Sequence, residues 1–383
     1  MKITSFRWIA SPAAALALGL SLAACGAANE DPAAGETSED TTTAGDTGDD
    51  TTTEDSLSGT LNGGGASSQE AAQNAWRAGF QEANPEVTVN YDPIGSGGGR
   101  EQFISAGYPF AGSDSYLDNE EGELDKATKR CDGEAPVEVP NYISPIAVIF
   151  NLEGVDELQL SPETLAGIFA GDISTWDDEA ITGDNPDAEL PAETINPVHR
   201  SDESGTTGNF TNYLSVAAPD AWTFGEVEDW PVKSGEGGSG TSGVVSAVEN
   251  SVNSIGYADA SQAGELGVAS IGVGDDFVDP TPEAAAKIFE VSPAVEGRAA
   301  TSMVYDLDYT TQEADTYPLV LTSYLLACPA YSDAAEGDLV KAYLSYIISE
   351  DGQSAAAKNA GSAPLPSSVA DKAQGLIDGI TVG

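Results

Sequence analysis

The sequence predicts an α/β fold in two domains, and two observations carry that prediction. Short apolar or alternating runs pass three times into Gly/Ser-rich loops that open helices, at Leu57 to Ser68, at Val87 to Gly99 and at Ile195 to Thr206. Strands alternating with helices in this way build sheets covered by helices. The folded part, roughly 325 residues from Leu57 to Gly383, exceeds the size at which one hydrophobic core suffices.

At the start of the chain, Lys2 and Arg7 precede an apolar run from Trp8 to Leu20 that is too short and Ala-rich to remain as a membrane span. Residues 1–24 therefore read as a secretory signal. Leu22-Ala23-Ala24-Cys25-Gly26 resembles a bacterial lipobox, which makes Cys25 the lipidated first residue of a mature chain, and diacylation is enough for stable anchoring. Residues 25–56 are rich in Asp, Glu, Thr and Gly and carry almost no large apolar side chain, the composition of a disordered acidic tether.

The chain carries 14 basic and 63 acidic residues, a net charge of −49. Starting at Cys25 it would lose Lys2 and Arg7 and no acid, leaving 12 basic groups and a net charge of −51. Nucleic acid is excluded as a partner, and an anion would have to be held by short-range hydrogen bonds rather than drawn in by the field. With Cys25 assigned to lipid, Cys131 and Cys328 are left as a pair in an exported protein, either as a disulfide or as two separate buried thiols. One histidine and no CxxC leave little material for a metal centre or a His-based triad.

In chain order, Leu57 to Leu61 reads as a strand. The Asn62 to Ser68 loop, with Ser67 and Ser68 at the cap, opens a helix bearing Ala72, Trp76 and Phe80 on one face. Val87 to Tyr91 alternates as a strand, and Ile94 to Gly99 leads into a helix with Phe103 and Ile104. Phe110 to Asp114 is a short strand ending on a carboxylate. Ser161-Pro162-Glu163 starts a helix with Leu165, Ile168 and Phe169 inward. A Gly/Ser run, Gly235 to Gly243, enters a helix at Val244 to Val248, and was as readily a flexible loop as part of a cleft. Helices are expected at Pro282 to Glu290, 338–349 and Val369 to Ile380, with buried strand at Tyr317 to Leu321 and Tyr324 to Ala327.

The chemistry concentrates at His199 to Phe210. A helix beginning near Ser204 leaves backbone N–H groups unpaired at the positive end of its dipole, so Ser204, Gly205 and Thr206 suit an oxyanion. Arg200 supplies a guanidinium fork, and Asp202 is placed to hold that fork from behind. Three junctions with Gly and Ser at the helix start point to several helix N-termini aimed at one anion. The spacings fit neither a Walker loop nor a dinucleotide fingerprint. His199 reads as a polar residue at a strand end.

Four segments in this order resemble the phosphate-binding lipoproteins of bacterial high-affinity phosphate ABC transporters: Gly63-Gly64-Gly65-Ala66-Ser67, Ile94-Gly95-Ser96-Gly97-Gly98, Ala111-Gly112-Ser113-Asp114 and Arg200 to Thr206. Ile168 to Asp178 and Ser254-Ile255-Gly256-Tyr257 extend the similarity, which covers most of the chain from Leu57 to about Pro366. The resemblance implies a two-lobed type II periplasmic-binding-protein fold, with residues 57–141 and 323–383 as domain I, residues 142–322 as domain II and a two-stranded hinge. It implies phosphate donors at Ser67, Ser96, Arg200, Ser204, Gly205 and Thr206. Ser68 stands where the family usually has an aromatic and would donate through its backbone N–H. Asp114 would accept the ligand's proton, with Asp202 supporting Arg200. The expected function is capture of inorganic phosphate and its delivery to membrane permease subunits, by a monomer without cofactor, metal or catalysis, lipid-anchored on the outer face of the membrane. The alternatives are a binder of another oxyanion such as sulfate, a secreted phosphatase, or a surface protein that holds phosphate to report on it.

Overall fold

The computed structural model describes residues 57–119, 122–313 and 315–383, so the signal, the lipobox with Cys25 and the acidic tether lie outside the described residues. In order, β1 (Gly59–Gly65), α1 (Glu70–Ala83), β2 (Val87–Asp92), α2 (Ser96–Ile104), β3 (Phe110–Ser113) and α3 (Glu123–Arg130) form the first run. The long β4 (Val137–Asn151) leads to β5 (Gln159–Leu160), α4 (Pro162–Ala170), α5 (Glu179–Asp184), β6 (Asn196–Arg200), α6 (Gly205–Ala217), β7 (Glu236–Gly238) and α7 (Gly240–Asn250). Then come β8 (Ser254–Asp259), β9 (Gly267–Val273), β10 (Asp276–Val278), α8 (Pro282–Val291), β11 (Val320–Ala327), β12 (Ala330–Tyr331), α9 (Ala334–Ile348), α10 (Glu350–Ala360), α11 (Ser367–Asp378) and β13 (Thr381–Val382).

The main sheet runs β2-β1-β3-β11-β4-β8-β6-β7. The pairs β2/β1, β1/β3, β8/β6 and β6/β7 are parallel, and β11 and β4 run antiparallel between those two groups. β4 changes partners along its length: Val137 to Pro145 pair with β11, whereas Ile146 to Asn151 pair with β8. It is buried almost end to end, as a strand covered on both faces must be, and its sequence is correspondingly apolar. The loops after β1, β2, β3, β6 and β7 follow the carboxyl ends of parallel strands, where open α/β sheets collect ligands.

Local rules account for most helices. In α1 the buried Ala72, Trp76 and Phe80 recur every four residues, and Trp76 Nε1 donates to Gly352 O of α10 at 2.8 Å. Burial of each such large side chain contributes about 1.5–3 kcal/mol. Ser161 caps α4 with Pro162 in its first turn, and Gly171, at φ 88°, ends it. Thr281 and Pro282 do the same for the start of α8.

The structure also corrects several expected boundaries. β1 runs from Gly59 through the glycines to Gly65, because they pack edge to edge with β3: a Cβ on Gly65, at φ 140°, would lie 2.0 Å from Gly112 O. The helix expected at 338–349 is α9, and a second, unexpected helix follows at once, since Ser349 both ends α9 and caps α10 by accepting from Gly352 N. In α3 only Ala127 is buried, so the segment had no apolar stripe to read. Cys131, following α3, is joined to Cys328, following β11, with Cα atoms 5.3 Å apart. Segment 298–305, inside the span expected for the second domain, bonds to the first: Arg298 Nη1 donates to Leu117 O at 2.7 Å, and its Nη2 and the Ser302 hydroxyl donate to Glu138. Among the described residues no helix is long and apolar enough to cross a membrane.

Candidate functional site

β3 delivers Asp114 to the centre of a cluster built from five loops. Its carboxylate accepts from Ser68 Oγ at 2.8 and 2.7 Å, from Thr206 Oγ1 at 3.1 Å and from Ser323 Oγ at 2.6 Å, and its backbone N–H donates to Ser96 Oγ at 3.1 Å. Asp114 is only 3% exposed. Burial pushes its titration up, against the Ser323, Ser68 and Thr206 hydrogen bonds and the Arg200 charge, which hold it down.

Arg200, at the end of β6, is buried, with Nε donating to Asp202 Oδ1 at 2.8 Å and Nη2 donating to Asp202 Oδ2. Asp202 also accepts from Gly240 N at 2.9 Å. Burial would raise its carboxyl, but the Arg200 hydrogen bonds and charge hold it below the usual range. The carboxylate therefore occupies one edge of the fork and leaves Nη1 for another acceptor.

Ser204 caps α6 by accepting from Thr207 N at 3.1 Å. The N–H groups of Gly205 and Thr206 are then those that a helix start leaves for an outside acceptor. Only glycine fits at Gly205, where a Cβ would stand 2.7 Å from Ser96 Oγ and 2.8 Å from the Asp114 Cβ. Ser67 Oγ accepts from Thr241 N at 3.0 Å and lies 3.0 Å from Thr241 Oγ1.

The structure thus brings Ser67, Ser68, Ser96, Asp114, Arg200, Asp202, Ser204, Gly205 and Thr206 into one buried constellation. Ser67 and Ser68 are not helix caps as expected: α1 starts after Gln69 with no side-chain cap, because both hydroxyls are engaged by Thr241 and Asp114. The hydroxyls of Ser68 and Thr206 point at Asp114, which leaves their backbone N–H groups as the donors open to another acceptor.

Sequence reasoning missed four residues here. Thr241 sits at the start of α7 after the Gly235 to Gly243 run, which has the same strand, Gly/Ser loop and helix signature as the other junctions. Asn209 Nδ2 donates to Asp114 O at 2.8 Å from the second turn of α6. Ser323, within a buried strand, gave no signal. Arg100 follows the second Gly loop and is 4% exposed, bonded to Glu123, Glu203, Glu228 and Ser113. A recess of about 730 Å³ opens beside Arg100 and Asp114, lined among others by Asp118, Glu226, Asp229 and Asp306. His199 stacks on Trp230 with ring centroids 4.9 Å apart, and its Nδ1 donates to Arg200 O at 2.8 Å. Burial lowers its titration.

A model of the PBP superfamily domain matches residues 50–351. Phosphate-binding protein PstS 3 of Mycobacterium tuberculosis (strain ATCC 25618 / H37Rv) is 37% identical over 313 residues, covering 80% of this chain and 83% of that protein. Phosphate-binding protein PstS of Xylella fastidiosa is 33% identical over 304 residues, covering 76% of this chain and 78% of that one. Among solved structures, the high affinity periplasmic phosphate-binding protein PfluDING bound with phosphate shares the fold, with a TM-score of 0.66 at 23% identity over 83% of this chain and 93% of that one. A chain with this match and these relatives belongs to the PBP superfamily and, within it, to the family of the phosphate-binding PstS proteins.

Proposed function

We propose that this protein captures inorganic phosphate outside the cytoplasm, in a cleft between two α/β lobes, and delivers it to the membrane permease of an ABC importer. The observation that carries this reading is a buried carboxylate, Asp114, set among anion donors: the Arg200 guanidinium and the free N–H groups that open α6. An anion site that includes a fixed acceptor suits an oxyanion that still bears a proton, and phosphate near neutral pH bears at least one. Sulfate has none to give. Its oxygens would face the Asp114 lone pairs in a desolvated space, a repulsion that rejects the wrong ligand.

The lobes are residues 57–141 with 323–383, and residues 142–322, whose segment 298–305 reaches back to Leu117 and Glu138 of the first. The partner change of β4 at Pro145 to Ile146 supports that division, and β4 and β11 are the hinge. Ser67, Ser68, Ser96 and Asp114 come from the first lobe, and Arg200 to Thr206 from the second. Ligand would close the two on each other. The protein is a monomer and a binder rather than an enzyme, the last supported by the stacking of its one histidine on Trp230. Cys25 would carry the lipid that holds it at the outer face of the membrane.

Equilibrium dialysis of purified protein, stripped of ligand by partial unfolding and refolding, against labelled phosphate tests this. Saturable binding of one phosphate per chain, with phosphate esters neither bound as tightly nor hydrolysed, is expected. Release of phosphate from an ester, or retention of sulfate in preference, would overturn it.

A further inference from the structure

β8, paired with the hinge strand β4, ends on a further buried carboxyl. Asp259 closes β8, paired with Ile146 of β4, and is 1% exposed. Its Oδ1 accepts from Ser261 N at 3.0 Å and from Ser261 Oγ at 2.5 Å. Its Oδ2 has no hydrogen-bond partner, and neither do the hydroxyls of Tyr142 and Ser144, both fully buried on β4. Strand alternation puts Tyr142, Ser144 and Ile146 on one face, with Asp259 across from Ile146 and Ser323 across from Tyr142. One polar row therefore runs along the hinge from Asp259 past Ser144 and Tyr142 to Ser323, which donates to Asp114.

The charges along this row do not balance. Arg200 is matched by Asp202, which leaves Asp114 as an uncompensated negative charge before any ligand arrives. A bound phosphate adds one or two more in a space cut off from water. From β4, Asp259 faces only the Ser144 hydroxyl and the Tyr142 phenol, and from its own following turn it faces Ser261. β9 and β11 bring no charged residue, and those of α7 and α10, Glu249, Glu350, Asp351 and Lys358, are exposed. The charge that acts on Asp259 from across the site is that of Asp114.

We infer that Asp259 is a positioning residue for the ligand's charge: it takes up a proton when phosphate binds, and the neutral carboxyl donates through Oδ2 into the Ser144 and Tyr142 row. This rests on phosphate being the ligand. Burial already pushes the Asp259 carboxyl up to about 6, assisted by the Asp114 charge and opposed by Ser144 and Ser261. The Ser144 hydroxyl acts on it from just outside hydrogen-bond geometry. A bound anion pushes the titration higher still. Between the free and bound titrations, binding consumes a proton, and affinity falls by up to about tenfold per pH unit as pH rises. The ionised Asp259 carboxylate then opposes capture at alkaline pH, and the Tyr142 phenol, itself pushed well up by burial and by both carboxylates, stays protonated throughout.

Calorimetry of phosphate binding at about pH 7.5, in buffers of different ionisation enthalpy, counts the protons exchanged. The parent should take up about half to one proton more than Asp259→Asn, because the contribution of phosphate itself is common to both. The variant should match the parent near pH 5 and bind about tenfold tighter near pH 8. Equal proton counts and parallel pH profiles would overturn the assignment. Should the variant fail to fold, the infrared difference spectrum of the parent on adding phosphate decides: a protonated-carboxyl band must appear as a carboxylate band is lost, and must persist in Asp114→Asn. Its absence refutes the role of Asp259. A parent that binds no phosphate at all refutes the proposed function instead.

Discussion

At the residue scale, the proposed selection of phosphate rests on Asp114. Three hydroxyls donate to it, so while ionised it can only accept, and a ligand must bring the proton. Asp114→Asn replaces one acceptor oxygen with a donor, and should keep appreciable phosphate binding while admitting sulfate, as competition titrations would show. The parent should show the same effect through pH. Burial has raised the Asp114 titration, so as pH falls through it the carboxyl gains a proton that it can donate, and sulfate binding should grow toward acid pH. In Asp114→Asn sulfate binding should be nearly flat over that range. In the proposed site Arg200 carries the neutralising charge. Arg200→Ala should cost about 1.5–3 kcal/mol of phosphate binding, where Ser96→Ala costs about 0.5–1.5. Equal losses measured by calorimetry would place Arg200 outside the site.

At the scale of elements, the site exists because five strand ends converge, and Arg100 on α2 ties that convergence together. It bonds Glu123, Glu203 and Glu228, and although burial works against its charge, the Glu228 and Glu123 carboxylates hold it protonated. Removing one partner of such a network leaves uncompensated charge, so Arg100→Met should loosen the loops around the proposed site and speed phosphate release without touching the ligand, a change that stopped-flow dissociation would read. The Cys131–Cys328 bond spans 197 residues of chain. Replacing both cysteines by serine should lower stability to denaturant by about 2–5 kcal/mol, with phosphate affinity little changed.

These elements also show what the sequence reveals and what it hides. Gly/Ser loops after short strands announced the site because the physics of a helix start is local. Ser323 and Asp259 were invisible because their roles are set by which strand lies across from them, and pairing is not local. Thr241 stood in between: its loop carried the signature, but nothing local said that it would meet Ser67, 174 residues away. Helix α10 was hidden because Ser349 serves two helices at once and the Ala-rich stretch behind it has no apolar stripe.

For the whole molecule, net charge is the dominant fact. A chain at −49, with an acid-lined recess beside its anion cluster, repels the ligand it is proposed to hold until short-range hydrogen bonds take over. Added salt screens that repulsion over about 10 Å at 0.1 M. The association rate for phosphate should therefore rise with ionic strength, whereas a basic binding site would show the opposite slope. Stopped-flow measurements across a salt series check the sign. The most direct test of the central claim is competition calorimetry, in which ligand-free protein is titrated with phosphate near neutral pH in excess sulfate. A site organised around an ionised Asp114 predicts tight, one-to-one phosphate binding that sulfate does not displace. Loss of the phosphate signal in sulfate would contradict it.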